Sequence, residues 1–137
     1  ASSLLDEAYF AKNNYKNILC PFFIADVQRD RLCTHCDAYV FPSLMEGFGL
    51  PGLEAMAYGA PVVSSDATCL PEVYEDAAHY FNPYDVAGMT KAIDDVLTDE
   101  ELRASLIKKG LEQVKKYSWQ RMAEQTHTVY MDVLKKS

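Results

Sequence analysis

A chain of 137 residues is long enough to bury a real hydrophobic core as one domain. Hydrophobic residues make up 49% of it and charged ones 24%, which excludes disorder as the main state. With 13 Lys and Arg against 20 Asp and Glu, a formal charge of −7, there is no cationic surplus to neutralise a nucleic-acid backbone or an anionic lipid surface.

In chain order, Ser3-Leu4-Leu5-Asp6 has the form of a capped helix start and predicts a helix to about Asn13. Residues 17–23 (NILCPFF) form an apolar run with strand character, in which Pro21 removes a ladder donor and points to an irregular or edge segment. Asp26 is placed to cap a helix over 27–36, and 38–41 (AYVF) reads as a continuously apolar strand of the kind found in parallel sheets covered on both faces. A turn-rich stretch over 42–49 follows. Residues 50–58 favour helix, with Pro51 in the first turn and Gly59 at the C-terminal cap. The third strand is 61–64. A short helical piece lies around 71–74, and 79–81 (HYF) is a fourth strand, closed by the turn Asn82-Pro83-Tyr84-Asp85. Val86, Met89, Ile93 and Leu97 repeat at helical spacing after an Asp85 cap, as do Leu102, Leu106, Ile107 and Val114 in the next segment. Ser118 caps a last helix to about Leu134.

Helices alternating with short apolar strands predict an α/β fold: a doubly wound parallel sheet flanked by helices, with C-terminal helices packed on it. Four strands make a thin sheet, and a helix precedes the first of them, as in a domain cut into from its N-terminal side. The hydrophobic runs are too short to span a bilayer, and the opening ASSLLDEAY lacks the basic and apolar regions of a signal peptide. The expectation is a cytoplasmic protein with no transmembrane segment and no nucleic-acid partner.

Cys20, Cys33, Cys36 and Cys69 are read as reduced thiols. Cys33-Thr34-His35-Cys36 has CxxC spacing, but no second ligand pair follows it, which favours small apolar filling of a helix face over a zinc or redox pair. Trp119 is expected to anchor the last helix in the core, the tyrosines to serve packing, and His35, His79 and His127 to have no catalytic part. Lys108, Lys109, Lys115 and Lys116 are read as a solvated face.

In open α/β sheets, ligands sit beyond the carboxyl ends of the strands, which directs attention to the loop Pro42-Ser43-Leu44-Met45-Glu46-Gly47-Phe48-Gly49-Leu50. Gly47 and Gly49 permit close approach of the backbone, and the following helix aims amides and a positive dipole end at the same place. An anion is the natural guest, yet Glu46 and Glu54 flank it. A ligand bearing both phosphate and hydroxyls resolves the conflict, because amides take the phosphate and each carboxylate accepts from hydroxyls. A nucleotide sugar has that character.

The run from Glu46 to Ala57 (EGFGLPGLEAMA), with Phe41-Pro-Ser43 before it and Gly59-Ala-Pro-Val-Val-Ser64 after it, closely resembles the E-x7-E region of retaining GT-B glycosyltransferases, those of family 4 (group 1) especially. The likeness extends to Leu70-Pro-Glu-Val73 and Tyr117-Ser-Trp119. It implies a Rossmann-like C-terminal half of a GT-B fold and transfer of a sugar from a nucleotide diphosphate donor, UDP-, GDP- or ADP-linked, with retention at the anomeric carbon. No metal or organic cofactor is implied. By position, Glu46 would organise the donor sugar at the catalytic centre, Gly47, Phe48, Gly49 and Leu50 would offer main-chain amides, and Glu54 would hold the ribose. Ile24 would meet the nucleobase, although Phe22 stands where the family usually has Gly.

The resemblance also implies that residues 1–137 are a partial donor-binding domain, inactive alone. The sugar, lipid or polysaccharide acceptor would be bound by an N-terminal domain, with a membrane contact in the full-length enzyme if that acceptor is lipid-linked. The alternative is a stand-alone, non-catalytic nucleotide-sugar-binding module; a thiol or metal protein built on Cys33 and Cys36 is the third reading.

Overall fold

The computed structural model describes residues 17–19, 21 and 23–136, in two compact units, 1–31 and 32–137. The predicted helix over 3–13, Cys20 and Phe22 lie outside the described residues.

In the first unit, the described part of 17–23 is turn and irregular chain, so the predicted strand is not seen there. Pro21 accounts for this locally: it fixes φ and has no N–H to give a ladder. Helix α1 (Asp26–His35) begins one residue earlier than expected. Asp26 is therefore in the first turn, where its charge suits the helix dipole, and is not the cap. The entry is instead closed by Gln28, whose side-chain oxygen accepts from the Ala25 amide at 2.9 Å, half of a capping box.

The second unit holds three parallel strands in the order β1 (Tyr39–Phe41), β2 (Val62–Ser65), β3 (Ala78–Phe81). Tyr39 pairs with Val62 and Val62 with Ala78, so the strands run in near-level register. Between β1 and β2 lies α2 (Leu50–Ala57); between β2 and β3 lie α3 (Leu70–Tyr74) and a 3-10 turn (Glu75–Ala77). After β3 come α4 (Val86–Thr98), α5 (Glu100–Gln113), a 3-10 turn (Val114–Lys116) and α6 (Trp119–Lys136).

Side chains alternate across a strand, and here each side meets its own core. Val62 and Ala78, with Tyr39, Phe41 and Tyr80, join the cluster of Leu53, Met56, Leu70, Val73 and Tyr74. Val63 and Phe81, with Val40, join Ala92, Val96 and Leu106 on the opposite face. All four residues of β2 are buried, as a strand covered on both sides requires.

Three helix ends of the second unit carry the caps that their sequences announce. Asp85 accepts from the Gly88 amide at 3.0 Å, and Ser118 from the Arg121 amide at 3.1 Å. At the end of α2, Gly59 and Ala60 donate to Met56 and Ala55 in the Schellman pattern. The inward face of α4 is Met89, Ala92, Ile93 and Val96, whereas Val86 and Leu97 of the predicted stripe are exposed. The Trp119 expectation is corrected outright. It is 71% exposed, and every described side chain of α6 is exposed as well, so this amphipathic helix adds nothing to either core cluster.

Candidate functional site

Residues 42–49 leave the C-terminal end of β1 and deliver the chain to the N-terminus of α2. A loop with two glycines has little core of its own, and this one is fastened by side chains from elsewhere. The Ser65 hydroxyl at the end of β2 donates to the Ser43 carbonyl. Ser43 in turn donates from Oγ to Glu46 Oε1 at 2.8 Å, which fixes the half-buried carboxylate. The Glu46 amide donates to Thr68 Oγ1 at 3.2 Å, and the Cys69 thiol reaches the Glu46 carbonyl at 3.4 Å. Thr68 holds φ at 52°, a left-handed conformation uncommon for a β-branched residue, directly beside the loop it supports.

Gly49 is the N-cap of α2, with φ 94° and ψ 39°. It has no side chain to cap the helix, and Pro51 has no N–H. The Tyr74 hydroxyl, wholly buried under this turn, donates to the Gly49 carbonyl at 2.6 Å. Its burial pushes the phenol well above the usual tyrosine range.

Of the residues proposed from the sequence, Glu46 is half-buried, Gly47, Phe48 and Leu50 are exposed on the loop and first turn, and Gly49 is buried beneath them. Glu54 is exposed on α2. Phe48, Leu50 and Glu54 meet on the wall of a mainly apolar cavity of about 1050 Å³ between α2 and the start of α6, opposite Tyr117, Trp119 and Met122. Phe48 sits there edge-on to Tyr117, ring centroids 5.3 Å apart. Glu46 is not on that wall. Ile24 lies in the first unit, on irregular chain before α1 and not at a strand end, because no strand forms over the described part of 17–23.

The supporting residues Ser65, Thr68, Cys69 and Tyr74 were not legible as site residues, since each meets the loop across more than 20 intervening positions. Among the described residues, no three His, Cys, Asp or Glu side chains come together as a metal-binding group. Cys33, Cys36 and Cys69 form no disulfide, Cys33 being buried and Cys36 packed against the first core cluster. No helix among the described residues is long and apolar enough to cross a membrane.

Comparison with known proteins places residues 5–113 in the family described as glycosyl transferases group 1. The chain is 40% identical over 108 residues to O-antigen chain mannosyltransferase B of Escherichia coli, covering 79% of this chain and 28% of that protein. It is 37% identical over 111 residues to an MMP alpha-(1->4)-mannosyltransferase of Mycolicibacterium hassiacum, covering 78% and 27%. In structure it is similar to sucrose-phosphate synthase from Thermosynechococcus elongatus, with a TM-score of 0.78, 27% identity, and 96% of this chain against 34% of that one. The chain thus spans under a third of the length of these two mannosyltransferases.

Proposed function

The chain belongs to the glycosyl transferases group 1 family, and from that premise we propose that it supplies the donor-binding part of an enzyme that transfers a sugar from a nucleotide diphosphate to an acceptor. The observation that carries the reading is the junction of β1, loop and α2: a glycine-bearing loop above a parallel strand, running into a helix N-terminus, with Glu46 fixed by Ser43 and Glu54 one turn into the helix. In this reading the amides of 47–50 take the diphosphate, aided by the helix dipole. Glu46 accepts hydrogen bonds from hydroxyls of the sugar, and Glu54 from the ribose. Ile24 contributes backbone to the base. The acceptor, whether sugar, lipid or polysaccharide, is bound by a part of the protein outside these residues.

Departure of the diphosphate on the same face as acceptor attack gives retention at the anomeric carbon, and the work of the site is positioning and charge stabilisation. Glu46 serves as an organiser, not a nucleophile. Relatives named as mannosyltransferases make a mannosyl donor the first to test.

Ligand-observed NMR with UDP, GDP and ADP and their sugars is the direct test. One nucleotide should bind selectively to the parent chain, and Glu54→Ala should abolish that binding. In the full-length enzyme, Glu46→Ala should lower transfer by roughly 10²-fold or more with the fold intact, the scale of losing a positioned polar group. Near-normal transfer in both Glu46→Ala and Glu54→Ala enzymes overturns the site assignment.

A further inference from the structure

The first turn of α2 raises a question that the donor-site reading leaves open: what decides which of its amides faces a ligand. Gly49 offers no capping side chain and Pro51 no N–H, so the turn has the amides of Leu50 and Gly52 to dispose of. Tyr74, at the end of α3, meets both ends of this problem. Its hydroxyl donates to the Gly49 carbonyl at 2.6 Å, and its ring end lies close against Gly52 in the same turn. The cap peptide, which has no capping side chain of its own, is thus held by a side chain 25 positions away.

The geometry of the peptide group carries the argument further. The Gly49 carbonyl and the Leu50 N–H belong to one trans peptide unit, so they point in opposite directions. Tyr74 is completely buried beneath the turn, and by holding the Gly49 carbonyl toward the core it directs the Leu50 N–H away from it, toward the exposed side where Leu50 lies. The space for this arrangement is made by the glycines. A Cβ on Gly49 would stand 2.5 Å from Tyr74 Oη and 2.6 Å from Leu70 Cδ2, and a Cβ on Gly52 would overlap Tyr74 Oη more closely still, with Cζ at 2.5 Å.

We propose that Tyr74 is a positioning residue for the donor's diphosphate: by holding the Gly49 carbonyl inward it keeps the Leu50 amide outward as the helix-end donor to the phosphate. This rests on the donor-site reading above. Tyr74 touches no ligand itself, and its effect is confined to the phosphate end of the nucleotide.

The test uses the full-length protein and compares dissociation constants for UDP, GDP or ADP, whichever binds, with those for the matching nucleoside. Tyr74→Phe keeps the ring and removes the hydroxyl. It should weaken the diphosphate by about three- to tenfold, the range for one lost hydrogen bond, and leave nucleoside affinity within about twofold. Equal weakening of both ligands, or of neither, overturns the positioning role. If Tyr74→Phe does not fold, selective 15N-leucine labelling of the parent protein decides the matter: the Leu50 amide should shift on adding the diphosphate and not on adding the nucleoside. An unmoved Leu50 amide overturns the proposal and removes Leu50 from the amides assigned to the diphosphate, while a bound diphosphate leaves the rest of the donor-site reading standing. A parent protein that binds none of the three diphosphates overturns the donor-site reading and the role of Tyr74 together.

Discussion

A carboxylate is useful in a site only when it is held still, and Glu46 is held from three directions. Ser43 donates to its side chain, while Thr68 and Cys69 take its amide and its carbonyl. Ser43→Ala removes the one hydroxyl that fixes the carboxylate and leaves the backbone supports in place. In the full-length enzyme kcat/KM should fall by about tenfold, with a Tm change of at most about 2 °C, because Ser43 is half-buried in the loop and belongs to neither core cluster. A matching fall in Tm and activity would show that Ser43 merely supports the loop. Glu46, the glycines and Glu54 were readable in the sequence because they are close together along the chain. Thr68, Cys69 and Tyr74 were not, because their partners are set by the register of β2 and by the path of α3, which no local pattern states.

Among the elements, those defined by caps and periodicity were the legible ones. The three strands of the second unit begin and end within a residue of expectation, and Asp85, Gly59 and Ser118 all cap where they were placed. The start of α5 carries a further cap that was not picked out from the sequence. Asp99 accepts from the amides of Glu101 and Leu102 at 3.0 and 2.9 Å. Asp99→Ala should therefore destabilise the protein by about 1 kcal/mol in denaturant titration. A change below about 0.3 kcal/mol would mean that the helix start is held by packing alone. Two elements defeated the sequence for related reasons. The apolar run over 17–23 counts as a strand by composition although Pro21 already points to irregular chain, and Trp119 reads as an anchor because large aromatics are usually buried on average. Its helix instead keeps its apolar residues, Met122, Val129, Tyr130, Val133 and Leu134, at the surface.

Over the whole second unit, the acid response follows from three surface ion pairs that tie separate elements together or brace one. Hydrogen bonding and charge from Lys116 hold the Glu75 carboxyl below its usual range, Lys109 does the same for Asp76, and Lys91 for Asp95. A carboxyl whose pKa is lowered by folding contributes stability above its ordinary value and loses it as pH falls through the folded value, so the loss begins below about pH 4. The pairs are exposed and their individual contributions small. Replacing Lys91, Lys109 and Lys116 together by Met should flatten the fall of Tm between about pH 4.5 and 2.5 while leaving the profile above pH 6 parallel to the parent. An unchanged acid limb would assign the acid sensitivity to other carboxylates. The two-faced core was the most legible property of all, because unbroken apolar strands have few other places to go. The ion pairs between elements were invisible, since Glu75 and Lys116 stand 41 positions apart, whereas Lys91 and Asp95 are one helical turn from each other.

The close approach of Gly52 to Tyr74 also has a consequence for paired substitutions. A side chain larger than hydrogen at position 52 is tolerable only in a chain that has already given up the tyrosine ring at 74, whereas a smaller residue at 74 leaves only a void that glycine at 52 does nothing to worsen. The two positions are thus coupled in one direction: Gly52→Ala should cost stability in the parent chain and clearly less where Tyr74 is already alanine, while Tyr74→Ala should cost at least as much with glycine at 52 as with alanine there.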